Sequence, residues 1–269
     1  MIKIYEPYLN KNNLKYAHEA IDSGWISSQG EYIQKATDKL KDVIKTDNVL
    51  LVSNGTTATH CISKAIKYKF PQIKKLIVPN NSYVAAWNAF LFDSSYDEII
   101  AIDADVRTWN YDLELLYEEL QKSDPNETAL LCVHNLGNII NVPKIKNDFP
   151  NITIVEDNCE GLFGQYEQNY SGTRSFSSSI SFFANKTITS GEGGAFFCED
   201  KETFDFICSF VNQGNTDKKF IHDKIAQNYR MTNIQAAILL GQLESVEEIQ
   251  FRKKQIFSKF REKFSNMSR

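Results

Sequence analysis

The chain has 269 residues, 42% of them hydrophobic and 24% charged, with a formal net charge of −4. That is enough for one large domain, or for one domain and part of another, with a sizeable core. No basic stripe points to nucleic acid and no charge block to a tail. The five Cys form no C-x-x-C pair and read as buried free thiols of a reducing compartment, and the His at 18, 60, 134 and 222 lack metal-ligand spacing.

The N-terminal Met-Ile-Lys-Ile-Tyr-Glu has no long apolar run of the kind a signal peptide needs. No stretch reaches the ~18 apolar residues of a membrane span. A cytoplasmic protein with no membrane partner is therefore expected. From Asn48 onward the rhythm is strand, turn, helix. Asn48 to Asn54 is a short apolar run ending in a polar turn, and a helix is predicted from Thr56 to about Tyr68. Lys75 to Asn80 reads as a strand and Tyr83 to Phe92 as a helix. Glu98 to Asp103 reads as a strand. Leu113 to Lys122 reads as a helix with Leu113, Leu116 and Leu120 on one face. Two more strands, Ala129 to His134 and Ile152 to Val155, flank a helical piece near Lys144 to Phe149. Short apolar strands alternating with helices predict an α/β fold with a mostly parallel sheet, covered by helices on both faces. After Ser179 to Phe183 the pattern changes. From Thr232 to Phe264 it is almost continuously helical, with Ile234, Ile238, Leu239, Leu243, Val246 and Ile249 at helical spacing.

Three constellations fall just past the carboxyl end of a predicted strand, where open α/β sheets bind ligands. The first is Ser53-Asn-Gly-Thr-Thr57. Gly55 permits a tight turn, and the start of the next helix offers free N–H groups and a dipole suited to phosphate; Thr56 serving only as an N-cap is the plainer alternative. It is not a P-loop, because the terminal Gly-Lys-Ser/Thr is absent. The second is Glu156-Asp157. A partly buried carboxylate there needs a cationic partner, such as a protonated pyridine nitrogen, or else bonds a loop backbone. Glu160, one turn on, can face the same site. The third is Lys186, between the apolar Ser181-Phe-Phe and the Gly191-Glu-Gly-Gly194 turn. A lysine in a dry, crowded setting has a depressed pKa and forms a Schiff base; an exposed loop lysine is the common alternative.

Phosphate turn, Asp, then Lys is the order of pyridoxal-phosphate (PLP) transferases of the aspartate aminotransferase type. The resemblance runs further, through Gly24-Trp-Ile-Ser-Ser28, Val155-Glu-Asp-Asn-Cys-Glu160, Phe182-Phe-Ala-Asn-Lys-Thr-Ile-Thr-Ser-Gly-Glu-Gly-Gly194 and Asn228-Tyr-Arg-Met-Thr-Asn-Ile-Gln-Ala-Ala237. Over nearly its whole length the chain resembles the DegT/DnrJ/EryC1/StrS family of PLP-dependent nucleotide-sugar aminotransferases, and within it the perosamine-synthase-like members. The resemblance implies a type I PLP-transferase fold. Lys186 is then the Schiff-base lysine and proton carrier, and Asp157 the partner of the pyridine nitrogen. Tyr83 stacks on the ring; for it, a core aromatic at a helix start is the alternative. Gly55, Thr56 and Ser181 hold the phosphate, although Ser181 could merely face a polar cavity. Glu160 lies near the cofactor's 3-hydroxyl. Asn228 reaches the phosphate of a neighbouring subunit, which implies a homodimer with shared sites. The implied reaction moves an amino group from glutamate to a nucleotide-linked 4-keto-6-deoxy sugar, giving a 4-amino-4,6-dideoxy sugar for surface glycans.

The chain departs from the family pattern in three ways. Ser175-Phe176 stand where Gly-Asp is usual, so an altered turn is expected. Asn158 stands where a small Ala is common. Family members are longer, so residues 1–240 are expected to form the large PLP-binding domain and 241–269 a helix leading into a small domain that is largely missing. Two alternatives follow. One is an inactive, truncated member that only binds or dimerises. The other is a sugar 3-dehydratase, which carries His in place of the lysine and is disfavoured by Lys186.

Overall fold

The structure is a computed structural model that describes residues 6–92, 95–216, 218 and 220–265. Most of the N-terminal stretch read for a signal peptide, and the last four residues, lie outside these. Two helices precede the first strand: α1 (Lys11–Asp22), opened by a reciprocal Asn10–Asn13 capping box, and α2 (Glu31–Ile44). Neither is among the sequence expectations. Yet α2 carries Tyr32, Ala36, Leu40 and Ile44 as one buried stripe, a legible helical signal.

The predicted alternation follows: β1 (Val49–Val52), α3 (Gly55–Lys69), β2 (Lys75–Pro79), α4 (Val84–Leu91), β3 (Glu98–Ile102), α5 (Leu113–Lys122) and β4 (Thr128–Val133). A 3-10 turn (Asn135–Gly137), α6 (Val142–Asp148) and β5 (Thr153–Asp157) come next, then a small hairpin of β6 (Gln165–Tyr166) and β7 (Asn169–Tyr170). The remaining elements are β8 (Ser177–Ser181), β9 (Gly194–Cys198), α7 (Lys201–Val211), α8 (Asn233–Glu244) and α9 (Val246–Phe264).

Seven strands form one sheet in the order β1-β9-β8-β5-β4-β2-β3. The pairs β8–β5, β5–β4, β4–β2 and β2–β3 are parallel, whereas β9 runs antiparallel to both neighbours. The sheet is thus mostly parallel, as expected, with one reversal. Because β9 is reversed between them, β1 and β8 point the same way. The ends of β1, β4, β5 and β8 therefore open on one edge of the sheet. Strands β4, β8 and β9 are buried throughout, the serine-rich β8 included. The exception is β3, which is exposed along most of its length; it is an edge strand with one neighbour, so its Ile-rich sequence overstated its burial.

The turn at Ser175-Phe176 is ordered without Gly-Asp. The Phe176 N–H donates to Ile154 O at 3.0 Å, the Glu199 N–H donates to Phe176 O at 3.0 Å, and the Phe176 ring packs edge-on against Phe70. The long C-terminal helical run is broken at Ser245, the residue that ends α8 and caps α9. Leu239, Leu243, Val246 and Ile249 enter the core with α1 and α2 residues, and α9 is exposed beyond the half-buried Gln250. Among the described residues no helix is long and apolar enough to cross a membrane.

Candidate active site

The strand ends converge on a cavity of about 390 Å³. At the end of β1, Asn54 is extended and caps α3. Its side chain accepts from the Thr57 N–H at 2.9 Å, and the Thr57 hydroxyl returns a bond to Asn54 O at 2.8 Å. That cap consumes the Thr57 donor, and Asn54 O takes the Ala58 N–H. The first-turn N–H groups at Gly55 and Thr56, which no helix can satisfy internally, remain beside the cavity. So Thr56 is not the N-cap; Asn54 is. Gly55 is required by close approach. A Cβ there would lie 2.7 Å from Ser181 Cβ, 2.9 Å from Ser181 Oγ and 3.2 Å from Cys159 Sγ. The helix N-terminus and the Ser181 hydroxyl thus lie side by side at the cavity, an arrangement suited to an anion. Gly55→Ala is expected to weaken PLP binding about tenfold or more, since misplacing a preorganised group by an ångström has effects of this order; helix content should be unchanged. A visible-absorbance titration measures this, and wild-type affinity in the variant would remove Gly55 from the anion site.

Asp157 ends β5 and lines the cavity. Burial pushes its carboxyl above the usual carboxylate range; the Cys159 N–H at 3.0 Å and the charge of Lys186 pull the other way without cancelling it. A buried carboxylate in this state calls for a cationic hydrogen-bond donor. Its neighbour Glu156 turns elsewhere, toward His134, so the dipeptide read as one unit splits between two environments. The His134 Nδ1 accepts from the Ile140 N–H at 3.2 Å, which places the ring proton on Nε2, 2.8 Å from Glu156 Oε2. The Gly172 N–H donates to the same oxygen at 2.8 Å. Burial raises the Glu156 carboxyl, but hydrogen bonds from the His134 ring, the Ser175 side chain and the Gly172 N–H outweigh it and hold the group below its ordinary value.

Lys186 follows Phe182-Phe183 in a loop that folds back on itself. The Phe182 N–H donates to Gly193 O, the Ser190 N–H to Phe182 O, and the Lys186 N–H to Phe183 O. Gly191 sits at φ +86°, where a side chain would be strained. The Lys186 side chain is 18% exposed, and its Nζ lies 3.2 Å from Glu160 Oε1. The lysine thus faces the carboxylate of Glu160, the residue that the sequence placed as able to face the same site. The other Glu160 oxygen accepts from the Leu136 N–H at 2.8 Å. Tyr83 caps α4 at the cavity with 76% of its surface exposed, so it is not a core aromatic.

Gly55, Thr56, Tyr83, Asp157, Glu160, Ser181 and Lys186 are thus brought together. Asn228 is not: it is exposed, pairs with Asn212 in a β-bridge, and does not line this cavity. Sequence reasoning missed Asn135, which lines the cavity and donates to Asn81 O at 2.6 Å and Trp109 O at 2.9 Å. The strand-end rule that found Asp157 also applies to Asn135, just past β4. The residues fit pyridoxal phosphate: a cradle of N–H groups and a hydroxyl for the phosphate, a buried carboxylate for a protonated ring nitrogen, and an amine beside both.

The chain matches the DegT/DnrJ/EryC1/StrS aminotransferase family profile over residues 7–269. It is 35% identical over 274 residues to the GDP-perosamine synthase of Escherichia coli O157:H7, an alignment spanning 99% of this chain and 72% of that protein. Among solved structures it is similar to E. coli GDP-4-keto-6-deoxy-D-mannose-3-dehydratase with bound hydrated PLP (TM-score 0.89, 21% identity, 99% of this chain and 73% of that one). It is also similar to Helicobacter pylori PseC, an aminotransferase involved in pseudoaminic acid biosynthesis (TM-score 0.85, 24% identity, 98% and 71%).

Proposed function

The chain belongs to the DegT/DnrJ/EryC1/StrS aminotransferase family, and from that premise we propose that it transfers an amino group from glutamate to the keto carbon of a nucleotide-linked 4-keto-6-deoxy sugar. The product is a 4-amino-4,6-dideoxy sugar for surface glycans. The protein is a PLP-dependent sugar aminotransferase; glutamate as donor and the 4-keto sugar as acceptor are our reading. The observation that carries it is the Lys186 amine in the same cavity as the buried Asp157 carboxylate.

When bound, PLP supplies an aldehyde for Lys186 and a protonated ring that withdraws electrons from the reacting carbon. Asp157 binds and orients the ring N–H. The Gly55 and Thr56 N–H groups and the Ser181 hydroxyl hold the phosphate, and Tyr83 covers a ring face. Lys186, once its amine is free, moves the proton between C4′ of the cofactor and the sugar carbon. Glu160, 3.2 Å away, holds the lysine nitrogen in the cavity once it carries that proton. Asn228, exposed and not lining its own chain's cavity, reaches the phosphate bound by a second copy, so the working form is a homodimer. Residues 1–240 form the large domain in this reading, and 241–269 lead into a small one. A 3-dehydratase shares the fold, so fold does not choose between the chemistries. Lys186, at the position where dehydratases carry His, supports transamination.

The test is a visible spectrum of the protein with PLP, repeated after borohydride and after glutamate. The expected outcome is a visible band that borohydride fixes onto Lys186 and that glutamate bleaches, with the amino group then appearing on a nucleotide-linked 4-keto sugar. A band that glutamate leaves untouched would overturn the donor; release of water from the sugar without amination would overturn the reaction.

A further inference from the structure

His134 and Glu156 are two buried titratable residues, 0% and 1% exposed, that take no part in the site as described and do not line its cavity. Burying such a pair has a desolvation penalty that its mutual attraction often only offsets, so stability is a poor reason for its presence. What the pair does have is a fixed geometry. The imidazole bonds two partners. Its Nδ1 receives the Ile140 N–H at 3.2 Å, while its Nε2–H reaches Glu156 Oε2 on β5, an oxygen also held by the Gly172 N–H. The main-chain N–H of His134 donates to Asp157 O at 3.2 Å. His134 therefore grips β5 twice, at Glu156 through its ring and at Asp157 through its backbone. Gly161 packs close against one side of His134: a Cβ there would lie 2.7 Å from His134 Cβ and 3.0 Å from its Cδ2.

Resting on the reading of Asp157 as the ring-nitrogen partner, we propose that His134 and Glu156 are positioning residues for the cofactor. Their hydrogen bond fixes the end of β5 at the register where the Asp157 carboxylate meets the ring. The bond to Glu156 sets that register, and the bond from Ile140 serves to anchor the loop. Two substitutions separate these roles. His134→Gln places an amide N–H near the Nε2 position and keeps the link to Glu156, but loses the acceptor for Ile140. His134→Asn keeps an acceptor near Nδ1 for Ile140 but falls short of Glu156.

The experiment measures PLP affinity by absorbance titration, and the melting temperature of the cofactor-free protein, for wild type and both variants. H134N is expected to bind PLP about tenfold more weakly, the scale of removing a partner behind a binding group. H134Q should stay within about threefold of wild type even where its melting temperature is the lower of the two. Equal affinities in H134N and H134Q, or affinities that simply follow the melting temperatures, would overturn the proposal. If a variant does not fold, Glu156→Gln, which keeps the acceptor oxygen, against Glu156→Ala makes the same comparison. Wild-type protein that takes no PLP overturns the functional reading and this inference together, whereas wild-type binding with indistinguishable variants overturns the inference alone.

Discussion

Lys186→Ala is expected to abolish the covalent PLP adduct and to lower glutamate-dependent turnover by about 10⁴-fold, the upper range for losing a positioned proton carrier. The fold should survive. The Lys186 N–H to Phe183 O bond belongs to the backbone and remains, and Glu160 keeps the Leu136 N–H as a partner. The lost ion pair is partly exposed and of small consequence for stability. The variant should still bind PLP non-covalently, since the Gly55 cradle and Asp157 are untouched. The decisive measurement is borohydride reduction followed by peptide mapping. A label that persists in the variant, on any other lysine, would remove Lys186 from the reaction.

Asp157→Asn should lower turnover by at least about a hundredfold, because the ring nitrogen loses the charge that keeps it protonated. The same substitution is expected to raise the melting temperature of the cofactor-free protein at neutral pH. Burial holds the Asp157 carboxyl above its unfolded value, so ionising it costs more in the folded chain than in the unfolded one. That penalty is absent at pH below the unfolded carboxylate pKa, grows as pH rises, and is complete above the folded pKa. Asn never carries it. The stability gap between variant and wild type should therefore close as pH falls through the acidic carboxylate range. Added PLP should reverse the order at neutral pH, since the wild-type carboxylate then has its cation. A variant less stable than wild type without cofactor at neutral pH would mean that the Cys159 N–H and nearby charges already satisfy Asp157.

Much of the site was legible because its residues sit where a short apolar run stops. Gly55, Asp157 and Lys186 each follow such a run, and α5 occupies the residues its leucine spacing predicts. Three things were not legible, for physical reasons. Strand direction leaves no trace in a run of apolar residues, so Ala195 to Cys198 could not announce that β9 is reversed. Capping is decided by backbone conformation, so the sequence offered Thr56 as the alternative cap where Asn54 holds that place. Side-chain partners lie across the sheet: Glu156 meets a histidine 22 residues earlier, and Lys186 a glutamate 26 residues earlier. Only the register that sets Val133 beside Asp157 brings His134 to Glu156. In one dimension His134 was merely one of four scattered histidines.

The strand order carries a consequence for how the molecule is made. The first strand, β1, pairs in the sheet with β9 alone, a partner synthesised well over a hundred residues later. Until β9 arrives, β1 has no edge to join, and α3 cannot bring Gly55 against Ser181. Long-range closures of this kind slow folding, because chain entropy is lost before any contact repays it. The strands from β2 to β5 pair in parallel with nearer neighbours and can assemble first, leaving a nascent chain with an ordered centre and a waiting N-terminal arm. The junction of Gly55 with Ser181 is therefore expected among the last features to form, and cofactor capture is expected to report a finished sheet rather than a partial one. Refolding followed by PLP absorbance should then lag behind refolding followed by backbone circular dichroism.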